Sequence, residues 1–136
     1  MMRALLLVAL LALTAACGAY QFPGPASSPS PATATVTGRV LSVPCAPVEQ
    51  PNNVCAGRPV PKLEIDYVQG GGVAARTVTD GAGNYTVELQ PGTYKVTLKT
   101  YMRVISGPLT LTVSAGSSVV ANYLLDNGIR VPVPQQ

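Results

Sequence analysis

Polar and apolar residues alternate along most of the chain. The alternation is clearest in residues 62–67, which read Lys-Leu-Glu-Ile-Asp-Tyr. A period of two places successive side chains on opposite faces of a β-strand. The residues of one parity are expected to enter a core, and they are Leu63, Ile65 and Tyr67. The residues of the other parity are expected to face water, and they are Lys62, Glu64 and Asp66.

The same alternation recurs in further segments that are separated by turn-forming residues. Glycines at 70–72 predict a hairpin turn, and Asp-Gly-Ala-Gly-Asn at 80–84 predicts another, because these residue types tolerate positive φ. About seven short strands, with turns every 8 to 12 residues or so, predict an antiparallel β-sandwich without helices. Residues 109–113, beginning at Leu109, and residues 119–125 are the last two strands. The expected inward set is Val40, Leu63, Ile65, Tyr85, Val87, Leu89, Tyr94, Val96, Leu98, Leu111 and Val113.

The N-terminus departs from this pattern. Residues 4–13 are apolar throughout and follow Arg3, and small residues precede Cys17. About ten apolar residues are too few for a bilayer core, which needs about 20 in a helix, but they match a signal-peptide core. Ordinary signal peptidase cleavage after Ala16 is one interpretation of residues 1–16. The stretch also resembles a bacterial lipoprotein signal, in which the Cys17 sulfur takes a diacylglyceryl group and becomes the mature N-terminus.

The three cysteines agree with the lipoprotein interpretation. Exported proteins usually pair their thiols, and an odd cysteine indicates a special use. Cys45 and Cys55 lie close together in one proline-rich loop and are expected to form a disulfide, which leaves Cys17 for the lipid. Two or more acyl chains, with palmitate expected among them, anchor a protein stably. We expect attachment to the outer face of the cytoplasmic membrane, or to the outer membrane if the organism has one.

Composition divides the rest of the chain into three parts. Residues 17–32 are rich in Pro, Ser, Gly and Ala without charge or period, which predicts a disordered tether. In polyproline conformation this tether spans on the order of 45 Å. Residues 33–130 are the length of one domain, and residues 131–136 form a C-terminal tail. Loss of the leader with Arg3 lowers the net charge of +3 by one, too small a balance to indicate nucleic acid.

Three short motifs carry a family resemblance. They are Val-Thr-Gly-Arg-Val at 36–40, Thr-Asp-Gly-Ala-Gly-Asn-Tyr at 79–85 and Leu-Gln-Pro-Gly-Thr-Tyr at 89–94. Through them the segment from Thr35 to about Asn122 resembles the carboxypeptidase regulatory-like domain, which is related to the prealbumin (transthyretin)-like and Cna-B-like sandwiches. The resemblance implies a seven-stranded antiparallel Greek-key β-sandwich. It implies no activity, because one fold hosts many functions.

The residues that usually carry catalysis or bind metals are few. The chain has no His, so it lacks the commonest general base and any Ser-His-Asp or Cys-His set. Two cysteines without His do not make an ordinary zinc site. Asp80 with Asn84 has too few oxygen ligands beside it for a calcium loop, and we expect Asp80 to accept backbone N–H bonds within its own turn. The sequence therefore predicts a protein that is not an enzyme and needs no cofactor.

Tyr101 is the best candidate for a contact patch. It precedes Met102 and Arg103 in a predicted loop, where an aromatic ring is available for a ligand or partner. Packing of this loop against the edge of the sandwich is the alternative. The sequence predicts a non-catalytic, lipid-anchored binding or structural module of the bacterial cell envelope, whose partner is a protein or a glycan. The alternative function is a carbohydrate-binding module that faces the cell wall or an external glycan.

Overall fold

The computed structural model describes Gly24, residues 28–48, Asn52 and residues 54–130. This part of the chain contains β-strands and no helix, so it offers no helical span of a membrane. The expected all-β class is confirmed. The strands are β1 Ala34–Val43, β2 Arg58–Pro59, β3 Glu64–Gln69, β4 Gly72–Val78, β5 Asn84–Leu89, β6 Gly92–Leu98, β7 Arg103–Ser106, β8 Thr110–Val113, β9 Ser118–Val120 and β10 Tyr123–Asp126.

The strands form two sheets, as expected for a β-sandwich. One sheet has the order β4-β3-β6-β8 and is antiparallel throughout. In the other, β1 has β5 and β2 on one side and β9 and β10 on the other, and β7 follows β10. The pairing of β1 with β9 and β10 is parallel, so the antiparallel expectation is wrong for these two contacts. Alternation along a strand carries no information about the direction of its neighbour.

The described residues hold ten strands where the sequence predicts about seven. One reason is that residues 119–125 do not form a single strand. The Ala121 carbonyl accepts the Tyr85 hydroxyl at 2.5 Å, and the Asn122 side chain accepts the Arg39 backbone N–H at 2.9 Å. These side-chain bonds replace backbone ladder bonds and separate β9 from β10. A second reason is β2, a two-residue strand in a proline-rich stretch, where proline limits ladder bonding. A third reason is β7, which pairs with β10 where the sequence predicts a loop.

The core lies between the two sheets. Every residue of the expected inward set is buried except Leu98, which is half-buried against the core. Tyr67 is also buried, as its parity predicts. Leu109 is 50% exposed, so its place in the Leu111 face is wrong. Gly107, at φ +123°, and Pro108 redirect the chain between β7 and β8, and the strand begins only after Leu109.

Four tyrosines enter this core, and three of them are tied to loops. Their hydroxyls donate to backbone carbonyls: Tyr85 to Ala121 (2.5 Å), Tyr94 to Gln90 (2.7 Å) and Tyr123 to Pro108 (2.8 Å). The fourth, Tyr67, has a buried hydroxyl without a hydrogen-bond partner in the described structure. Because buried polar groups are costly when unpaired, the three bonds help to hold the backbone in place at Gln90, Pro108 and Ala121.

The expectation that Asp66 faces water is wrong, since only 2% of the residue is exposed. Asp66 lies on β3, between β4 and β6. The Arg76 Nε donates to its carboxylate at 2.6 Å, and the Lys99 Nζ lies 3.4 Å from the other oxygen. A long side chain from β4 and another from the residue directly after β6 thus cover the short carboxylate. Glu64, two residues earlier on the same face, is half-buried and lies 3.1 Å from Arg76.

The ion-paired Asp66 carboxylate is expected to make the protein less stable in acid. The hydrogen bond from Arg76 lowers the pKa of Asp66 below its ordinary 3.8, against the opposing effect of burial, and Lys99 lowers it further. Because the folded pKa is depressed, the stabilisation is fully present above the unfolded pKa and is lost as pH falls through the folded pKa. We expect the urea midpoint of the full-length protein to fall between about pH 5 and about pH 2, and to fall less in Asp66→Asn.

The matched control for this titration is Glu64→Gln, which removes the more exposed carboxylate beside the same Arg76. We expect its acid response to resemble that of the unmodified chain. An Asp66→Asn protein that loses as much stability in acid as the unmodified chain would contradict the assignment.

Candidate functional site

The strand β1 runs the length of the sandwich and separates two poles. The chain enters it at Ala34, next to the Thr33 carbonyl, which accepts the Gly116 N–H at 3.2 Å. At the other end the Val43 carbonyl accepts the Asn127 N–H at 2.9 Å. The ten residues of β1 separate these two ends by about 30 Å. We define the distal pole as residues 42–45, 57–62, 100–103 and 126–130.

A shallow groove of about 260 Å³ opens at the distal pole. Its apolar lining consists of Pro59, Val60, Pro61, Tyr101, Met102 and Ile129. Its polar lining consists of Ser42, Arg58 and Asn127. Four separate segments of the chain therefore converge on one concave surface, which is the usual construction of a binding site.

The predicted contact residues Tyr101 and Met102 both line this groove, and Arg103 does not. Tyr101 is 92% exposed, whereas Met102 is half-buried and packs against the core. The Met102 N–H donates to the Thr100 hydroxyl at 3.1 Å, which closes a tight turn beneath the exposed ring. The predicted loop ends here, because Arg103 already belongs to β7. A tyrosine has only two rotatable side-chain angles, so its ring loses little conformational freedom on binding.

The expected disulfide between Cys45 and Cys55 is confirmed, with Cα atoms 5.6 Å apart. It closes the loop that connects β1 to β2 and stabilises the fold by roughly 2–3 kcal/mol in the loop-entropy model. Just after the bridge, Gly57 has φ +94° and lies so close to Leu41 that a Cβ would stand 2.9 Å from the Leu41 Cβ. The bridge and this close approach hold the segment that brings Arg58 to the groove.

An ion-pair cluster holds the segment that carries the groove residues Asn127 and Ile129. Asp126 accepts both terminal nitrogens of Arg130 at 3.2 Å and the Gly128 N–H at 2.9 Å. Arg103 lies 3.4 Å from the same carboxylate. The hydrogen bonds from Arg130, followed by the one from Gly128, lower the pKa of Asp126. The turn that carries Asn127 and Ile129 is therefore fixed at its base.

The Asp80 turn has the hydrogen bonds that the sequence predicts. Its carboxylate accepts the Asn84 N–H at 2.8 Å and the Ala82 N–H at 2.9 Å. These backbone bonds, led by the one from Asn84, lower the pKa of Asp80. The carboxylate is thus engaged by its own turn. Across the residues that the structure describes, no three His, Cys, Asp or Glu side chains come together as a metal-binding group.

A second concave surface of about 310 Å³ lies on the outer face of the β1 sheet. It is lined by Arg39, Leu41, Ser106, Asn122, Tyr123 and Leu124. None of these residues belongs to the predicted contact set. The surface lies beside the break between β9 and β10.

Seven groove residues were not predicted as contacts, namely Ser42, Arg58, Pro59, Val60, Pro61, Asn127 and Ile129. Their convergence depends on the pairing of β1 with β2 and β10, which no local pattern reveals. One signal was available in the sequence: Asp-Asn-Gly at 126–128 forms a turn directly after an apolar strand. Such a turn places its neighbours at the end of a sheet, where a groove can form.

The anchor residue Cys17, the leader at 1–16 and the tail at 131–136 lie outside the described residues. Of the tether at 17–32, only Gly24 and residues 28–32 are described. Neither a protein-family model nor a curated protein matches the chain.

Proposed function

We propose that the protein is a non-catalytic, lipid-anchored binding module of the bacterial cell envelope. The observation that carries the binding role is the groove at the distal pole, where Tyr101 is exposed beside apolar Pro59, Pro61 and Ile129. Exposed apolar surface gathered in a concave site is typical of ligand or partner contacts. The polar groups there, including Arg58 and Asn127, offer hydrogen bonds for orientation.

The position of the tether supports this function. Residues 28–33 lead into β1 at the pole that holds Gly116, and a lipid on Cys17 attaches beyond them. The groove lies at the opposite end of β1, about 30 Å away. The tether therefore joins the domain at the end of β1 that does not carry the groove.

We also propose that the domain is a carboxypeptidase regulatory-like, seven-stranded Greek-key sandwich. Its support is the two-sheet architecture together with the three motifs, which fall on β1, on the turn before β5 and on the turn before β6. On this proposal β2, β7 and the division of β9 from β10 are local additions to the seven-stranded plan.

The anchor is tested by Cys17→Ala. We expect the protein without substitutions to enter the detergent phase on cell fractionation, because two or more acyl chains hold a protein at a membrane. The Cys17→Ala protein is expected in the aqueous phase. Cys45→Ser with Cys55→Ser is the control, since it removes the disulfide-bonded cysteines without touching the anchor. Recovery of the protein without substitutions in the aqueous phase, with Cys17 unacylated, would contradict the proposal.

The binding role is tested by photocrosslinking in cells. A benzoylphenylalanine at position 101 is expected to give one discrete crosslinked product, which Arg58→Ala reduces because that residue lines the same groove. The same probe at position 97, on β6 and outside the groove, is the control. Equal product patterns from positions 101 and 97 would count against a binding site at the distal pole.

A carbohydrate-binding module is the second candidate function. The specific observation in its favour is the exposure of the flat Tyr101 ring, since aromatic faces contact the C–H groups of sugar rings. Saturable binding on a glycan array that is lost in Tyr101→Ala would favour it over protein recognition.

A further inference from the structure

We propose that the distal groove binds one sugar residue of an anionic polysaccharide. This inference rests on the proposed binding function and adds the chemical class of the ligand. It combines three properties of the groove: its positive surroundings, its exposed aromatic ring and its small volume.

Positive charge is concentrated at the distal pole. The pole holds four cationic residues, Arg58, Lys62, Arg103 and Arg130. The described carboxylates there are Asp126 and, in the turn that adjoins residues 59–62, Asp80, which accepts two backbone N–H bonds of its own turn. Arg103 and Arg130 share the Asp126 carboxylate. Since the whole chain carries only +3, this end of the sandwich attracts anions more strongly than the molecule as a whole.

Within this positive region, Arg58 is the residue that can bind an anionic group directly. It lines the groove, it is exposed, and it forms no ion pair with any described carboxylate. A guanidinium presents a planar fork of donors that matches a carboxylate or a phosphate. An anionic group placed against Arg58 lies in the same groove as the Tyr101 ring.

The Tyr101 ring and the groove volume favour a saccharide over an acidic peptide. At 92% exposure the ring offers a flat face, and the C–H groups of a sugar ring provide the rigid flat surface that stacks on it. The groove volume of about 260 Å³ lies below the roughly 300–1,000 Å³ of pockets that enclose whole small molecules. The site therefore suits one unit of a chain that continues beyond it.

The test is calorimetric titration of the full-length protein in detergent. The probes are hexagalacturonate, its fully methyl-esterified form, and polyglycerol phosphate. We expect hexagalacturonate to bind, the uncharged ester to bind at least about tenfold more weakly, and affinity for the acid to fall as NaCl rises from about 50 mM to about 500 mM. Tyr101→Ala and Arg58→Ala are each expected to weaken binding by about tenfold or more.

Lys95→Ala is the charge-matched control, because it removes one cation from β6, outside the groove, and we expect it to bind as the unmodified protein does. Arg58→Lys is expected to lose less affinity than Arg58→Ala, since it keeps the charge and loses the fork. Equal loss in Lys95→Ala and Arg58→Ala would overturn the inference, since it would show attraction by net charge alone.

The remaining outcomes separate this inference from the function on which it rests. Equal binding of acid and ester would overturn the anionic assignment and leave a carbohydrate-binding module. Binding of polyglycerol phosphate in place of hexagalacturonate would overturn the saccharide assignment, because the pole would then recognise an anion without the ring. No binding of any probe, with a discrete crosslink from position 101, would overturn the inference and leave the binding function. No binding of any probe together with no crosslink would contradict both the inference and the proposed binding function.

Discussion

Gly38→Ala is expected to destabilise the protein by about 3 kcal/mol. A Cβ at Gly38 would overlap the carbonyl oxygen of Ala121 and stand 2.8 Å from the Tyr85 Cε1. Neither neighbour moves easily. The Ala121 N–H donates to the Thr37 carbonyl at 2.8 Å, and its carbonyl accepts the buried Tyr85 hydroxyl. An added methyl group must therefore displace backbone, which costs far more than rotating a side chain.

The measurement is the free energy of unfolding from urea titration followed by circular dichroism. Gly72→Ala is the matched control, because a Cβ at Gly72 meets no atom within 4 Å. We expect the control to change stability by no more than about 0.5 kcal/mol. Similar losses in the two variants would show that the β1 strand does not approach Ala121 as closely as described.

This close approach gives a physical reason for the glycine in the Val-Thr-Gly-Arg-Val motif. Gly38 lies on β1 where β9 ends and β10 has not yet begun. The absent side chain leaves room for Ala121 and for the Tyr85 ring. In the sequence Gly38 is simply one position in an alternating run. Its role depends on a residue more than 80 positions later, so local pattern could not assign it.

Burial parity could be predicted because it is a local property. Each of Tyr85, Val87 and Leu89 lies on one face of its strand, and period two alone places them together. Whether the side chains on the opposite face are buried depends on the side chains of neighbouring strands. Asp66 is covered because Arg76 pairs opposite it on β4 and Lys99 extends β6 on the other side. No local signal reveals which long side chains lie across from a short one.

The candidate site was predictable in part for the same reason. Tyr101 could be singled out because a large aromatic residue stands outside the alternation and next to a polar turn. The groove around it requires β2, β10 and the disulfide loop to meet at one end of the sandwich. Those contacts are long-range, and they place Arg58 and Ile129 beside Tyr101. The sequence therefore indicates one candidate contact residue, while the residues around it could not be predicted.

The strand β10 offers the most direct test of register, since it contains two adjacent leucines with different surroundings. Leu125 is completely buried, and Leu124 is half-buried on the outer face of the same strand. We expect Leu125→Ala to destabilise the protein by about 2–5 kcal/mol, because it removes apolar contacts and leaves a cavity between the sheets. Leu124→Ala is expected to cost about 1 kcal/mol or less, since its side chain is partly solvated before the change.

The two variants remove the same atoms one position apart, so their difference depends on the face alone. A slip of one residue would exchange the faces of every side chain on β10. If urea titrations show Leu124→Ala to be the more damaging change, the assignment of the inner and outer faces of β10 would be reversed. That reversal would also move Asn127 and Ile129, which follow β10 directly, away from the positions that line the groove. The stability of two leucine variants thus tests the geometry on which the distal pole depends.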